Sequence, residues 1–192
     1  MYCTLTQLRV YVGATTTADD VLLADCILRA QKMIDAATRR TFEAPVDAAR
    51  TFDAGYDVEG RTLYLDADLC AITSITNGDG SGITMGQVVS EPRNTPPYYA
   101  LTLKLSSGIA WTYEEDPEDA ITVTGRWAYS ILPPPDIEQA CVRLAAWLYR
   151  QKDSSADLDR PTVSPDGATM LPAQIPNDVR AVLAPYKRVV IR

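Results

Sequence analysis

A chain of 192 residues, 46% hydrophobic and 22% charged, can bury the core of one domain, with or without an appendage, and needs no disulfide or metal. It contains no histidine, which excludes Ser-His-Asp catalysis, Cys-His catalysis and histidine-zinc sites within this chain and leaves carboxylates, Lys, Tyr or Cys to carry any chemistry. From the sequence as a whole we expect no enzyme and no cofactor. Its net charge of −7 disfavours DNA binding but is compatible with a protein that DNA slides past.

The N-terminal part of the chain predicts two helices. Thr4-Leu5-Thr6-Gln7 has the form of a capping box, and the helix that it starts, about 5–12, would end at Gly13. Thr17-Ala18-Asp19-Asp20 predicts a second capping box. The apolar stripe behind it predicts a long amphipathic helix, about 18–41, whose last turn carries two arginines.

Residues from about 45 to 130 predict an antiparallel β region, because alternation rich in Thr, Ile, Val and Tyr replaces the helical period. Asn77-Gly78-Asp79-Gly80 predicts a hairpin tip. The tip begins like a calcium loop, but Val88 stands where that loop requires a Glu. Residues 91–97 are expected to form a loop. The predicted strands are Arg50–Ala54, Thr62–Leu65, Ala71–Thr76, Ile83–Val89, Tyr99–Lys104, Ile109–Tyr113 and Ile121–Tyr129.

The last third predicts a helix at about 135–151, introduced by prolines, which should pack against the long helix. A Pro-, Ser- and Asp-rich stretch then predicts an extended, mobile arm, followed by a short helix at about 177–185. We therefore expect a domain of residues 1–152 and an arm of residues 153–192. Within the domain, helical segments at 1–44 and 131–152 would flank a β insert at 45–130.

The four cysteines, Cys3, Cys26, Cys70 and Cys141, form no Cys-x-x-Cys pair. Cys26 and Cys141 fall on apolar helical stripes, so we expect buried small hydrophobic side chains and no metal site. No apolar run is long enough to span a bilayer, and no secretory signal pattern is found, which predicts an intracellular origin.

Two segments are candidate interaction sites. The acidic loop, for which a merely solvated loop is the simpler alternative, consists of Glu114, Glu115, Asp116, Glu118 and Asp119. The C-terminal tail carries a charge of +3 among β-branched residues, and consists of Tyr186, Lys187, Arg188, Val189, Val190, Ile191 and Arg192. Its pattern is as compatible with binding to another chain as with a strand folded back on its own domain.

The order and spacing of several segments resemble the head-to-tail connector proteins of tailed bacteriophages, the adaptor family that sits beneath the portal ring. The segments that carry the resemblance are Leu5–Gly13, Asp19–Leu23, Ile34–Phe42, Ile121–Tyr129, Pro134–Ala140 and Pro176–Arg188. Residues 43–120 match only in character, and they are longer than the compact β insert of that family.

The resemblance implies an α+β fold, in which a small helical bundle carries an inserted antiparallel β region and an extended C-terminal arm. It implies a structural protein of the virion neck, made in the host cytoplasm, that forms a ring of about twelve copies under the portal protein. The ring would extend the channel for double-stranded DNA, without binding it specifically, and provide the platform for the next neck or tail protein.

The resemblance also gives the two candidate sites their roles. Members of this family commonly dock on the portal through the C-terminal arm, so we expect the C-terminal tail to be the portal-docking segment. A lumen that repels phosphate lets DNA pass without sticking, so we place the acidic loop on the lumen or on the tail-facing surface.

Two other functions stay open. One is a different neck component, such as a head-closure or tail-completion protein, although such proteins are often dominated by β structure. The other is a small-ligand or carbohydrate-binding β module with a concave aromatic pocket. It would use Tyr98, Tyr99, Trp111, Tyr113 and Trp127.

Overall fold

The computed structural model describes residues 1–153, 162–163, 169–170 and 175–188. These residues belong to two compact units, one formed from Met1–Arg39 with Pro134–Arg192, and the other from Arg40–Pro133. Helices dominate the first unit and two antiparallel sheets the second, which confirms the expected α+β class. None of the described helices is both long and apolar enough to cross a bilayer.

The helical unit contains, among the described residues, α1 (Leu5–Val12), α2 (Asp20–Thr38), α3 (Pro135–Arg150) and α4 (Asn177–Leu183). The expected packing of α2 against α3 is confirmed, and α1 and α4 each contact both of them. Burial of the facing apolar stripes stabilises the bundle, at roughly 25 cal/mol per Å². The enclosed side chains include Leu8, Leu23, Ile27, Ile34, Ile137, Leu144, Val179 and Leu183.

Both ends of α1 are capped as the sequence predicts. The Gln7 N–H donates to the Thr4 hydroxyl (3.2 Å), and the Thr4 N–H donates to the Gln7 side-chain oxygen (2.7 Å). Gly13 takes a left-handed conformation with φ 75°, and its N–H donates to the carbonyls of Arg9 and Val10. The capping box and the terminal glycine therefore fix this helix locally.

The capping box predicted at the start of α2 is wrong. The helix begins at Asp20, and Asp19 stands at its N-cap without a side-chain bond to the helix. The Asp19 carboxylate instead accepts hydrogen bonds from Lys152 Nζ (2.8 Å) and from the Tyr149 hydroxyl (2.5 Å). These two bonds hold the pKa of Asp19 below its usual value. Tyr149 near the end of α3 and Lys152 just beyond it thus bind the carboxylate that would otherwise cap α2.

The far end of α2 also differs from the prediction of a helix to residue 41. The helix stops at Thr38, because Arg39 adopts a left-handed conformation with φ 55° and donates its N–H to the Asp35 carbonyl. The Thr38 carbonyl accepts the N–H of Arg188 (2.9 Å), so the C-terminal segment satisfies one of the carbonyls at the helix end. Arg40 belongs to the β unit and is not a helix-end charge.

The β unit contains two four-stranded sheets, with strand orders β1-β8-β4-β5 and β2-β3-β7-β6, and its pairings are antiparallel. Side chains of both sheets share one core, which includes Phe52, Leu63, Leu69, Ile75, Leu101, Ile121 and Trp127. The strands are β1 (Ala48–Phe52), β2 (Val58–Glu59), β3 (Thr62–Leu69), β4 (Ala71–Thr76), β5 (Gly82–Ile83), β6 (Val88–Glu91), β7 (Tyr98–Leu103) and β8 (Ile121–Arg126).

Three predicted strands are interrupted, shorter or missing in the structure. The strand expected at 83–89 is interrupted by a 3-10 turn, Met85–Gln87, whose own capping pair of Thr84 and Gln87 separates β5 from β6. The strand expected at 121–129 ends at Arg126. The segment 109–113 is not a strand, although Tyr113 makes a single bridge to Gly78.

The two ends of the β unit run side by side. The Tyr129 N–H donates to the Thr41 carbonyl (2.7 Å), and the Ala44 N–H donates to the Ile131 carbonyl (3.3 Å). The ring of Phe42, which is fully buried, packs on the ring of Tyr129 with their centroids 5.5 Å apart. The chain therefore leaves the β unit next to the point where it enters.

The turn between β4 and β5 confirms the predicted hairpin tip. Asn77 at its start is buried, and its side-chain amide bonds to the segment 110–112: Nδ2 donates to the Ala110 carbonyl (2.9 Å), and Oδ1 accepts the Thr112 N–H (3.1 Å). Asp79 is exposed and accepts bonds from the hydroxyl and the N–H of Ser81, which lower its pKa. The buried side-chain amide of Asn77 thus fixes part of the segment 109–113, which was predicted as a strand.

Replacement of Asn77 by alanine should lower the free energy of unfolding by about 2–3 kcal/mol, because the Ala110 carbonyl and the Thr112 N–H both lose a buried partner. Urea unfolding followed by tryptophan fluorescence measures the change. Asp79→Ala, in the same turn but exposed, is the matched control and should leave the unfolding midpoint nearly unchanged. Equal effects of the two substitutions would contradict this role of Asn77.

The predicted arm lies largely outside the described residues. Within it, β9 (Thr162–Val163) and β10 (Thr169–Met170) pair antiparallel. The predicted short helix is α4, which is followed by a 3-10 turn at Ala184–Tyr186. Val179 and Leu183 of α4 are buried in the helical unit, so this part of the C-terminal segment belongs to the bundle.

Candidate assembly surfaces

The acidic loop connects the segment held by Asn77 to β8, and all five of its carboxylate side chains are exposed. Two backbone bonds fix it to the end of β1: the Ala54 N–H donates to the Pro117 carbonyl (2.7 Å), and the Asp119 N–H donates to the Asp53 carboxylate (2.8 Å). Asp119 has a left-handed conformation, φ 53°, and its carboxylate accepts the Thr51 hydroxyl (2.5 Å). The bonds and the left-handed backbone conformation of Asp119 therefore fix the conformation of this end of the acidic loop.

The other four carboxylates of the acidic loop are Glu114, Glu115, Asp116 and Glu118. Among the described residues, no hydrogen bond or ion pair reaches them. A loop that is fixed at both ends but carries uncompensated charge presents a local negative field to whatever approaches it.

The C-terminal tail is described only as far as Arg188, and Val189, Val190, Ile191 and Arg192 lie outside the described residues. Its first residues contact their own helical unit. The Tyr186 hydroxyl donates to the Asp136 carboxylate (2.6 Å), and the Arg188 N–H donates to Thr38. Lys187 is exposed between them. Docking on the portal stays a prediction, and it would depend on Lys187 and on the residues beyond Arg188.

The β unit also presents a basic groove, which the sequence analysis missed. This open groove of about 680 Å³ is lined by Arg61, Val89, Arg93, Thr102, Leu103, Lys104, Leu105 and Ser106. Three of these residues are cationic and none is acidic, in a chain whose net charge is −7. Arg93 pairs with Glu91 (3.9 Å), but Arg61 and Lys104 still give the groove a charge opposite to that of the whole chain.

Backbone carbonyls, and not carboxylates, hold two of these cations in place. Arg61 donates from Nε to the Leu103 carbonyl (2.8 Å) and from its guanidinium to the Lys104 carbonyl. Lys104 Nζ donates to the Gly86 carbonyl (2.6 Å). Beside them, Leu105 is 83% exposed. Positive charge next to exposed apolar surface suits a carboxylate-bearing segment of a partner protein.

The outer face of α2 carries exposed apolar side chains. Val21 is 80% exposed, and Leu28, seven residues further on and so on the same face of the helix, is 52% exposed. Leu22, Asp25 and Arg29 are exposed beside them. Exposed apolar residues at helical spacing among charged ones are typical of a surface that contacts another protein.

The aromatic residues do not form the pocket that a carbohydrate-binding module requires. Trp111 and Trp127 are buried in the core, and their indole N–H groups donate to the carbonyls of Arg61 (3.0 Å) and Ala48 (2.8 Å). Tyr99 and Tyr113 are exposed, and the lining of the basic groove contains no aromatic residue. These contacts explain the tryptophans as core residues.

Comparison with known proteins gives similarity at the level of structure. No family model and no curated protein matches the chain. A chain from the neck of the empty gene transfer agent (GTA) particle, computed with C6 symmetry, is similar with a TM-score of 0.57 and 16% identity. One from the neck of the native particle, computed with C12 symmetry, has a TM-score of 0.56 and 15% identity.

In both cases the likeness covers 98% of this chain and 90% of the other. A chain from the virion of the native GTA particle gives the same coverage, with a TM-score of 0.57 and 16% identity. The likeness is one of fold. Because of its coverage, it includes both the helical unit and the β unit.

Proposed function

We propose that this protein is a structural component of the neck of a phage-like particle and works there as a homo-oligomeric ring. The observation that carries the proposal is the shared fold with GTA neck chains over 98% of this chain. The C6 and C12 symmetries of those necks favour a ring of about twelve copies. Such a protein works by its geometry and catalyses no reaction.

Within the neck, we place the protein as the head-to-tail adaptor beneath the portal. There it would extend the DNA channel and provide the platform for a stopper or tail protein. It would be made in the host cytoplasm and remain in the virion. The second candidate is a different neck component, such as a head-closure or tail-completion protein, because the fold likeness supports a neck position without choosing among neighbouring rings.

A closed head-to-tail ring needs two unlike surfaces on each subunit. The basic groove and the exposed apolar face of α2 have this character. A neighbouring copy with a net charge of −7 supplies carboxylates that complement Arg61, Arg93 and Lys104. We therefore assign these two surfaces to contacts between copies, and we assign the acidic loop to the lumen or to the tail-facing surface.

Native mass spectrometry of the full chain, alone and mixed with the portal protein of the same particle, tests the ring. We expect a complex with about twelve copies of this chain in the presence of the portal, because many weak contacts become strong together when a template supplies the symmetry. Monomers under every condition would overturn the ring. A ring that forms only with a stopper or tail protein would instead support the second candidate, a different neck component.

The portal-docking role of the C-terminal tail needs a shorter truncation than the whole C-terminal segment. A chain that ends at Pro176 would lose the buried Val179 and Leu183, and so would disturb the bundle itself. A chain that ends at Arg188 keeps α4 and the bond to Thr38. We expect this truncated chain, carrying Lys187→Ala, to stay folded but to bind the portal at least about tenfold more weakly. Unchanged binding would exclude Lys187 and residues 189–192 from the interface.

Charge removal tests the acidic loop in assembled particles. Glu114→Gln with Glu115→Gln should slow DNA ejection or reduce tail joining, because about twelve copies multiply the change in the field. Asp79→Asn with Glu59→Gln removes the same charge from exposed carboxylates elsewhere in the β unit and is the matched control. Ejection and tail joining that are identical in the two variants would contradict the assignment.

A further inference from the structure

Two cysteines that are far apart in the sequence touch in the core of the helical unit. The Sγ atoms of Cys3 and Cys141 lie 3.4 Å apart, although the two residues are 138 positions apart in the chain. Cys3 is 2% exposed and Cys141 is fully buried, and both are free thiols in this structure. A covalent bond between them requires the sulfurs to approach to about 2.05 Å.

The backbones on both sides of this thiol pair are fixed. Before Cys3, the buried Tyr2 donates its hydroxyl to the Asp35 carboxylate of α2. After Cys3, Thr4 forms the capping box of α1. Cys141 lies within α3, where its neighbours Ala140 and Val142 are buried. The contact between the sulfurs is therefore held by the packing of three helices.

The pair is also differentiated chemically. The hydrogen bond between the two sulfurs is the main cause that lowers the pKa of Cys3. The same contact, together with burial, raises the pKa of Cys141. Because the thiolate is the attacking form, the lower pKa favours Cys3 as the attacking thiol and leaves Cys141 to resolve the intermediate.

We propose that Cys3 and Cys141 are a latent disulfide that closes when the protein meets a low-molecular-weight disulfide such as oxidised glutathione. The Cys3 thiolate attacks one sulfur of the oxidant and expels one glutathione thiolate, which leaves a mixed disulfide on Cys3. Cys141 then gives up its proton to the released thiolate, attacks the Cys3 sulfur and expels the second glutathione. The protein loses two electrons and two protons, and one glutathione disulfide becomes two glutathione thiols.

The bond would fasten the segment before α1 to the middle of α3. The oxidant would reach Cys3 in local openings that release Tyr2 from Asp35 while the helices of the bundle stay folded. In a particle that leaves the reducing cytosol, a setting that rests on the proposed function, closure would follow release from the cell. The chemistry itself belongs to the single chain and does not depend on a ring.

Intact-mass measurement of the purified full chain after incubation with excess oxidised glutathione tests the proposal. We expect a loss of about 2 Da, a fall in alkylatable thiols from four to two, and a peptide that links Cys3 to Cys141. The oxidised chain should also melt about 5 °C or more above the reduced one, since the bond closes a long loop. Four alkylatable thiols, or glutathione retained on single cysteines, would overturn the proposal.

Variants separate this bond from other thiol chemistry. Cys3→Ser and Cys3→Ala should abolish the mass loss and the melting shift, while Cys26→Ser, which changes another buried cysteine, should keep both. A link that persists in either Cys3 variant, or that includes Cys26 or Cys70, would overturn the assignment. Each outcome is read on the isolated chain, so failure of the disulfide is distinct from failure of the neck assignment.

Discussion

Gly125→Ala should destabilise the protein by about 3 kcal/mol or more and lower its melting temperature by roughly 6 °C or more. Gly125 lies in β8, opposite Ala48 on β1 and Ile72 on β4. A Cβ atom at this position would lie 2.2 Å from the Ala71 carbonyl oxygen and 2.9 Å from Leu69 Cδ1. Neighbouring strands on both sides of β8 prevent it from moving away, so the clash must distort the sheet.

Gly82→Ala is the matched control for this substitution. Gly82 also lies in a strand, β5, but a Cβ there would meet no atom within 4 Å. Its effect should stay within about 0.5 kcal/mol. Thermal unfolding followed by circular dichroism distinguishes the two variants, and a Gly125→Ala protein as stable as Gly82→Ala would refute the close approach of β4 and β8.

Asp68→Ala should lower the free energy of unfolding by about 3 kcal/mol, because it removes the carboxylate from a buried ion pair. Arg40 Nη1 lies 2.7 Å from Asp68 Oδ2, and the two side chains are only 18% and 7% exposed. The guanidinium also lies over the Tyr129 ring, 5.4 Å from its centroid. Loss of the carboxylate leaves a cation with little access to water.

A second ion pair of the same geometry provides the control. Arg50 and Asp66 are also 2.7 Å apart, but their side chains are 39% and 62% exposed. Asp66→Ala should therefore change stability by less than about 1 kcal/mol. Guanidinium denaturation of both variants measures the difference. The double variant Arg40→Met/Asp68→Leu should recover most of the loss, and a double variant as unstable as Asp68→Ala would contradict the penalty assigned to loss of the carboxylate beside Arg40.

Local sequence rules succeeded where the residues that decide the structure are neighbours in the chain. The capping box of Thr4 and Gln7, the terminal Gly13 and the glycine-rich hairpin tip are all visible within a few residues. The rules failed where a residue that is distant in the chain binds the side chain to which the local pattern assigned a role at a helix end. Lys152 and Tyr149 bind the carboxylate of Asp19, and Asp68 pairs with Arg40, which the sequence placed at the end of α2.

The candidate surfaces also differ in whether the local sequence is enough to predict them. The acidic loop is a single run of charges and can be found from composition alone. The basic groove collects Arg61, Arg93 and Lys104 from three separate segments, which only the pairing of β3, β7 and β6 brings together. Asn77 likewise matched a common turn signal, but its buried bonds to Ala110 and Thr112 depend on tertiary structure.

The side-by-side ends of the β unit, joined by the bonds of Thr41 with Tyr129 and of Ala44 with Ile131, make residues 40–133 equivalent to one long loop between α2 and α3. The entropic cost of closing a loop rises only slowly with its length. An insertion whose ends lie side by side can therefore lengthen or be exchanged while the helices keep their packing. The acidic loop and the basic groove both lie on this exchangeable stretch. Replacement of this one contiguous piece of gene can thus change the surfaces that the protein presents, while the pairing of α2 and α3 remains its frame.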